Sequence, residues 1–309
     1  MFYLARMPLV TEGDAPPEVS VVMASYNARA TIARSLHALT ALTTDVRFEI
    51  VVVDSSTDDT AELVTAGFPA VRLVSVENRL YPGAARNAGI AQARGEILAF
   101  TDADCVVEPN WLDELVRLHR SGVTVVGGSI ANGNPERLVS WANYFCEFST
   151  WLPGRAAGPI SDAPAACLSI TRGTFERFGP FVGGTLSSDS DFCRRLVRSG
   201  EPPQFAPQVR VAHLNVTELR AYLGRKWRHG RAFARVRASY SAFGHGRCAI
   251  GLVVAPGVPA LLFVRTGAAA MRAGLRREFT VSAPLVFAGQ VAWALGEAVS
   301  YARLAVSRR

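Results

Sequence analysis

Over the first 126 residues, short apolar runs ending in small polar or acidic residues alternate with stretches of helical spacing. "VSVVMAS" (19–25) is apolar until its last residues, the pattern of a buried parallel strand. The next stretch, "ARATIARSLHALTAL", sets Ile32, Leu36, Leu39 and Leu42 at helical intervals. "FEIVVVDSSTDDT" repeats the scheme: a strand, a turn rich in Asp, Ser and Thr, and a helix from about Asp59. "AVRLVSVEN" predicts a third strand, "GAARNAGIAQARG" a small-residue helix closed by Gly95, and "EILAFTDAD" a fourth strand. This alternation predicts an α/β fold whose mostly parallel sheet is covered by helices on both faces. Such sheets bind ligands beyond the carboxyl ends of their strands. Here those ends carry Ser25-Tyr26-Asn27, Asp54, and Asp102 with Asp104.

Residues 127–210 are less regular and rich in Gly and Pro. They predict a loop, a strand near Ala166–Thr171, a short helix, and a compact helix over "SSDSDFCRRLVRSG" with a Ser cap and a Gly stop. Pro109 suits the first turn of a helix over "EPNWLDEL". Near the end, 248–264 and 279–296 are uncharged stretches of 17 and 18 residues, the first interrupted by Pro256 and Pro259. Both sit at the lower limit for crossing a bilayer. Arg265, Arg272, Arg276 and Arg277 lie between them, and Arg303, Arg308 and Arg309 follow. A spanning hairpin would put one basic cluster on the outer side, against the positive-inside tendency. The pattern therefore favours re-entrant or interfacial segments on a cytoplasmic leaflet over a spanning hairpin or buried core helices.

Charge sharpens this division. From residue 210 onward there are 16 basic and 3 acidic side chains, a local +13 within a net +7, leaving −6 on the first 209 residues. Basic charge crowded at one end suggests an anionic partner: a membrane surface, a polyanionic substrate or nucleic acid. Five cysteines without a CxxC pair argue against a disulfide framework or a structural zinc site. Pro8, Glu12 and Asp14 interrupt any apolar leader, so no cleavable signal segment is expected.

The candidate chemistry centres on "AFTDADCVVEPNW" (99–111). Two carboxylates one residue apart disfavour each other's charge unless a cation intervenes. Oxygen ligands past a strand end suit Mn²⁺ or Mg²⁺ shared with a substrate phosphate. Read without that cation, the same residues make a solvated turn.

In their order, these segments resemble the inverting family 2 glycosyltransferases of the GT-A fold, over roughly residues 19–240. "VSVVMASYN" is similar to the family's first strand, with Ala24 and Ser25 as departures. "EIVVVDSSTDDT" is similar to its second strand and acidic turn, and "GAARNAGIAQARGEILAFTDAD" to the run into its DxD motif. The resemblance implies a Rossmann-like nucleotide half (19–126), an acceptor and base half (127–240), an N-terminal extension (1–18) and a membrane-associated segment (241–309). It implies that Ser25 and Asp54 touch the donor nucleoside, and that Arg86 lies along the nucleotide edge. Asp102 would meet ribose or the metal shell, and Asp104 would ligate the metal. Asp189 of "SSDSDF" falls on the catalytic base, although Ser188 replaces the family's preceding Glu. Ser188 and Asp191 also fit a helix-capping arrangement, and acids in a first turn favour the dipole. Asp191 is a weaker acceptor or phosphate candidate.

His213, after "QVRVAH", is either a further metal ligand or structural. In "YLGRKWRHGRAFAR", Trp227 and Arg228 either close over donor phosphate or acceptor, or belong to a basic amphipathic face on anionic lipid. The implied partners are a nucleoside-diphosphate sugar, with a UDP sugar favoured, a hydroxyl acceptor that could be lipid-linked, and an anionic membrane surface.

Two other classes compete. A basic nucleic-acid- or membrane-binding protein without transferase activity would use the Arg-rich end. Nucleic acid is disfavoured, because near-membrane-length apolar stretches interrupt the basic segments and no nucleic-acid module is recognisable. A nucleotide-dependent oxidoreductase falters because no GxGxxG follows the first strand.

Overall fold

The computed structural model describes residues 9, 16–185, 187–240 and 245–306 of the 309. Most of the N-terminal extension, and residues 241–244 at the expected 240/241 boundary, lie outside the described residues. In chain order the elements are β1 (Val19–Ser25), α1 (Ile32–Thr40), β2 (Phe48–Asp54), α2 (Thr60–Gly67), β3 (Arg72–Ser75), α3 (Pro82–Gln92) and β4 (Ile97–Asp102). There follow β5 (Cys105–Val107), α4 (Trp111–Arg120), β6 (Val125–Asn132), α5 (Leu138–Phe148), β7 (Gly158–Pro159), β8 (Cys167–Thr171), α6 (Arg172–Phe178), α7 (Ser188–Arg198) and β9 (Gln204–His213). The chain ends in α8 (Leu219–Tyr240), α9 (His245–Val254), a 3₁₀ turn (Ala255–Gly257), α10 (Val258–Arg272) and α11 (Arg276–Val306).

These elements form two compact units: Met1–Gly133 with Arg155–Leu214, and Asn134–Gly154 with Asn215–Arg309. The division falls after Leu214 rather than at 240, because α5 and α8 pack with α11.

The first unit holds one sheet in the order β3-β2-β1-β4-β8-β6-β9-β5, with β7 beside β9. β1 to β4 are mutually parallel, and β8 enters antiparallel to β4. Every residue of β2 is buried, which explains its apolar run Ile50–Val53. Gly95 does not close α3, which ends at Gln92 with Ala93 extended. It is small because a Cβ there would sit 2.6 Å from the Ser20 backbone nitrogen of β1. Pro109 likewise precedes α4, whose N-cap is Asn110.

Glu49 is the one acid within β2 before its end, and it is 3% exposed. It accepts hydrogen bonds from the Ser20 hydroxyl (2.7 Å), the Arg94 backbone nitrogen (2.6 Å) and Arg94 Nε (2.9 Å). Burial pushes this carboxyl up, but the Ser20 and Arg94 bonds outweigh it and hold the group below its ordinary range. A carboxyl lowered on folding adds stability above its unfolded pKa and loses it as pH falls through the folded value. Glu49→Gln should therefore destabilise by about 1–3 kcal/mol at neutral pH. The difference from wild type should shrink in acid, as denaturant midpoints at neutral pH and in the carboxylate range would show.

In the second unit, α8 lies close against α11. A Cβ on Gly230 would overlap the Trp293 carbonyl, and one on Gly296 the Trp227 carbonyl. Lys226, the chain's single lysine, is buried and bonds Glu147 of α5 at 2.5 Å. Two apolar stretches expected from the sequence are helical: Pro256 sits in the 3₁₀ turn, Pro259 in the first turn of α10, and Pro284 inside α11. Among the described residues, Ile250–Arg272 and Arg276–Ala305 are long and apolar enough to cross a membrane.

Candidate functional site

Strand register assembles the site. Ser25 pairs with Asp54 across β1 and β2, and Ala24 with Asp102 across β1 and β4, so three predicted polar ends share one edge of the sheet. Ser25 is buried, and its hydroxyl has no partner among the described residues. Asp54 folds into its own turn, where its carboxylate accepts from the Ser56 hydroxyl (2.7 Å) and the Ser56 backbone nitrogen (3.2 Å). Asn27, at φ 51°, accepts from the Thr57 nitrogen at 2.9 Å and ties the loop after β1 to the loop after β2. A left-handed conformation at a non-glycine residue is uncommon, and Asn tolerates it best.

Asp102 has a cation within the protein. Arg86, on α3 and 4% exposed, donates from Nη2 to Asp102 Oδ1 at 2.8 Å. Burial raises the Asp102 pKa above its ordinary value, Arg86 offsets part of this, and the charges of Asp104 and Asp189 raise it further. The sequence pattern suggested a metal as counter-charge for the DxD; the structure also sets Arg86 against its first carboxylate.

Asp104 turns toward a different partner. β5 and β9 run antiparallel with Cys105 opposite His213, and His213 Nε2 lies 3.2 Å from Asp104 Oδ2. Ligating atoms of Asp104, Cys105 and His213 all lie within 4.8 Å of one another. A carboxylate oxygen and an imidazole nitrogen suit Mn²⁺ well. The residues present therefore fit a divalent cation at this strand end, with Asp104 and His213 to hold it. The Cys105 thiol is pushed well up by burial and by the charge of Asp104. Its adjacency to His213 has no signal in the sequence, since 108 positions separate the two residues.

Asp189 lies in the first turn of α7. Its Oδ2 accepts from the Ala165 nitrogen (3.1 Å), and its Oδ1 from the Ser190 nitrogen (2.9 Å). The capping arrangement expected of Ser188 and Asp191 is not formed. Ser187 is the N-cap without a side-chain bond, and the buried Ser188 hydroxyl has no partner among the described residues. Ser188 instead packs over α3, where a Cβ on Gly83 would meet its side chain at 2.7 Å. Asp191 is engaged by Arg195 (3.3 Å) and Arg194 (3.8 Å) along its own helix.

A second carboxylate missed in the sequence joins this turn. Asp162 Oδ2 accepts from the Ser190 hydroxyl at 3.0 Å, and its pKa is raised by burial and by the charge of Asp189. Only folding brings residue 162 to the start of α7. Trp227 and Arg228 belong to the second unit, on α8, with the Arg231 guanidinium 4.7 Å from the Trp227 ring centre.

This sheet, with acidic and buried polar groups at one set of strand ends, defines a GT-A glycosyltransferase fold. The mannosyltransferase PcManGT from Pyrobaculum calidifontis, solved with GDP-Man and Mn²⁺, superposes with a TM-score of 0.59 at 20% identity, covering 94% of this chain and 89% of that one. S. aureus TarS, solved with UDP-GlcNAc, gives 0.54 at 14% identity over 93% and 92% of the two chains. Residues 20–164 match glycosyl transferase family 2. The glycosyltransferase AglE of Haloferax volcanii is 29% identical over 204 residues, 64% of this chain and 67% of that protein. The succinoglycan biosynthesis protein ExoO of Rhizobium meliloti is 38% identical over 105 residues, 33% of this chain and 30% of its own length.

Proposed function

We propose that this chain is a metal-dependent, inverting glycosyltransferase that moves a sugar from a nucleoside diphosphate to a hydroxyl acceptor. The observation that carries the reading is the pairing of Asp104 with His213 at the strand end adjoining the Arg86–Asp102 pair. This pairing supports a cation site and a held carboxylate where a family 2 domain would take its donor. Ser25 and Asp54 would contact the nucleoside, and Asp102, fixed by Arg86, would face the ribose. Asp189 would accept the proton of the attacking hydroxyl. A divalent cation held by Asp104 and His213 would supply Lewis-acid stabilisation of the departing diphosphate.

A UDP sugar remains the favoured donor. PcManGT was solved with a GDP sugar and TarS with a UDP sugar, so the base has to be measured. The chain would work at the cytoplasmic membrane surface in envelope or exopolysaccharide synthesis, on a lipid-linked or membrane-proximal acceptor. Trp227 and Arg228 would serve the acceptor or the lipid surface.

A thermal-shift panel of UDP, GDP and dTDP, each with and without Mn²⁺, tests the donor site. One nucleotide should stabilise the protein by about 2.7 kcal/mol at a hundred times its Kd, and only with metal. Silence toward all three, with salt-sensitive binding of duplex nucleic acid, would favour the non-catalytic alternative.

A further inference from the structure

The second unit contains a helix whose polarity is reversed. Between Val281 and Ala302 of α11, the polar residues Ser282, Gln290, Glu297 and Ser300 are all buried. Every residue of that stretch that is not buried is apolar. Val281, Leu295 and Val299 are exposed on it. The neighbouring elements continue this character: Val253 of α9 is 81% exposed and Val264 of α10 is 68% exposed. Arginines border the apolar surface, with Arg265, Arg272, Arg276, Arg277 and Arg303 all exposed. From residue 245 to 306 the only acids are Glu278 and the buried Glu297. An apolar face rimmed by cations and nearly free of acid complements an anionic bilayer surface.

The apolar face of α11 covers 22 residues, about 33 Å at 1.5 Å per residue. That length alone would also suit a transmembrane span. α8 decides against it. Tyr222 of α8 lies against Gly289, the Trp227 carbonyl against Gly296, and the Arg231 carbonyl accepts from the Ser300 hydroxyl at 3.1 Å. The segment of α8 from 222 to 231 therefore lies beside α11 from 289 to 300. It carries Arg225, Arg228 and Lys226, the last paired with Glu147 of α5. A spanning α11 would draw these charges to the depth of the hydrocarbon core, where each is costly.

We infer that α9, α10 and α11 lie in the plane of an anionic membrane, embedded by the apolar face of α11, with α8 held on the water side as its polar backing. This deepens, and rests on, the membrane-surface part of the proposed function. It requires no particular donor or acceptor. Buried polar groups of α11 find partners inside the protein: Gln290 donates from Nε2 to the Thr266 hydroxyl at 3.3 Å, Tyr301 donates to Glu297 at 2.8 Å, and Ser300 to the Arg231 carbonyl, while the Gln290 oxygen has no partner among the described residues. Lipid is left with a surface that has no hydrogen bonds to lose.

The test uses the full chain with phosphatidylcholine vesicles, with and without phosphatidylglycerol. The protein should float with the anionic vesicles, bind less at high salt, and be released by alkaline carbonate. Val264→Asp combined with Leu295→Asp should abolish flotation while the thermal melt is kept. Should that pair fail to fold, the surface changes Arg272→Gln, Arg276→Gln and Arg277→Gln should each weaken anionic-vesicle binding about five-fold. Retention after carbonate would overturn the in-plane orientation and leave the membrane reading standing. Absence of flotation, or a vesicle-independent dimer in light scattering, would overturn the membrane reading and assign the face to a second copy.

Discussion

Replacing Asp189 with Asn is expected to lower sugar transfer by about 10²- to 10⁴-fold, the usual contribution of a general base. The substitution keeps the size of the side chain and an oxygen able to accept from the Ala165 nitrogen, so the start of α7 should persist. The loss should appear in kcat, with the thermal melt and the nucleotide-induced shift close to wild type. That combination separates chemistry from folding and from donor binding. Undiminished turnover would remove Asp189 from the mechanism. Attention would then pass to Asp162, the other carboxylate joined to this turn through the Ser190 hydroxyl. A parallel Asp162→Asn measurement makes the choice between them explicit.

The second large effect is expected at Asp104. Asp104→Asn removes a negative charge from the strand end where His213 Nε2 lies 3.2 Å away. Mn²⁺ binding followed by electron paramagnetic resonance, without nucleotide or acceptor, should be lost or severely weakened. His213→Ala should weaken it by at least the roughly 10–100-fold typical of removing a supporting partner of a metal site. Asp102→Asn should behave differently, because its carboxylate is engaged by Arg86 at 2.8 Å. Metal binding would fall less in that variant, and nucleotide binding more. Equal Mn²⁺ affinity in wild type and Asp104→Asn would refute the assignment of this pair.

Much of the first unit can be read directly from the chain. The runs at 19–25, 48–54 and 97–102 are strands separated by helices and, after α2, by the short β3, because a parallel strand covered on both faces reads as a predominantly apolar run. The expectation of polar strand ends at Ser25, Asp54 and Asp102 follows from the same pattern, and parallel pairing in register brings them together. Local reading failed where a residue answers to a distant neighbour. Gly95 looks like a helix stop and instead permits the approach of β1; Ser188 and Asp191 look like a cap, while Ser188 packs on Gly83 and Asp191 engages Arg194 and Arg195.

By itself, then, the sequence determined the alternating elements, the acidic strand ends and the family resemblance, since these depend on periodicity and on ordered local motifs. Tertiary structure decided which charges meet: Arg86 with Asp102, Asp104 with His213, and Asp162 with the turn of Asp189. It also decided that between Val281 and Ala302 the polar residues Ser282, Gln290, Glu297 and Ser300 are buried while the exposed positions are apolar. Composition could not reveal that reversal, because a helix has the same residues whichever face it turns inward. The face is chosen by the partner helix, and here glycines at 230 and 296 let α8 lie close enough to cover the polar side.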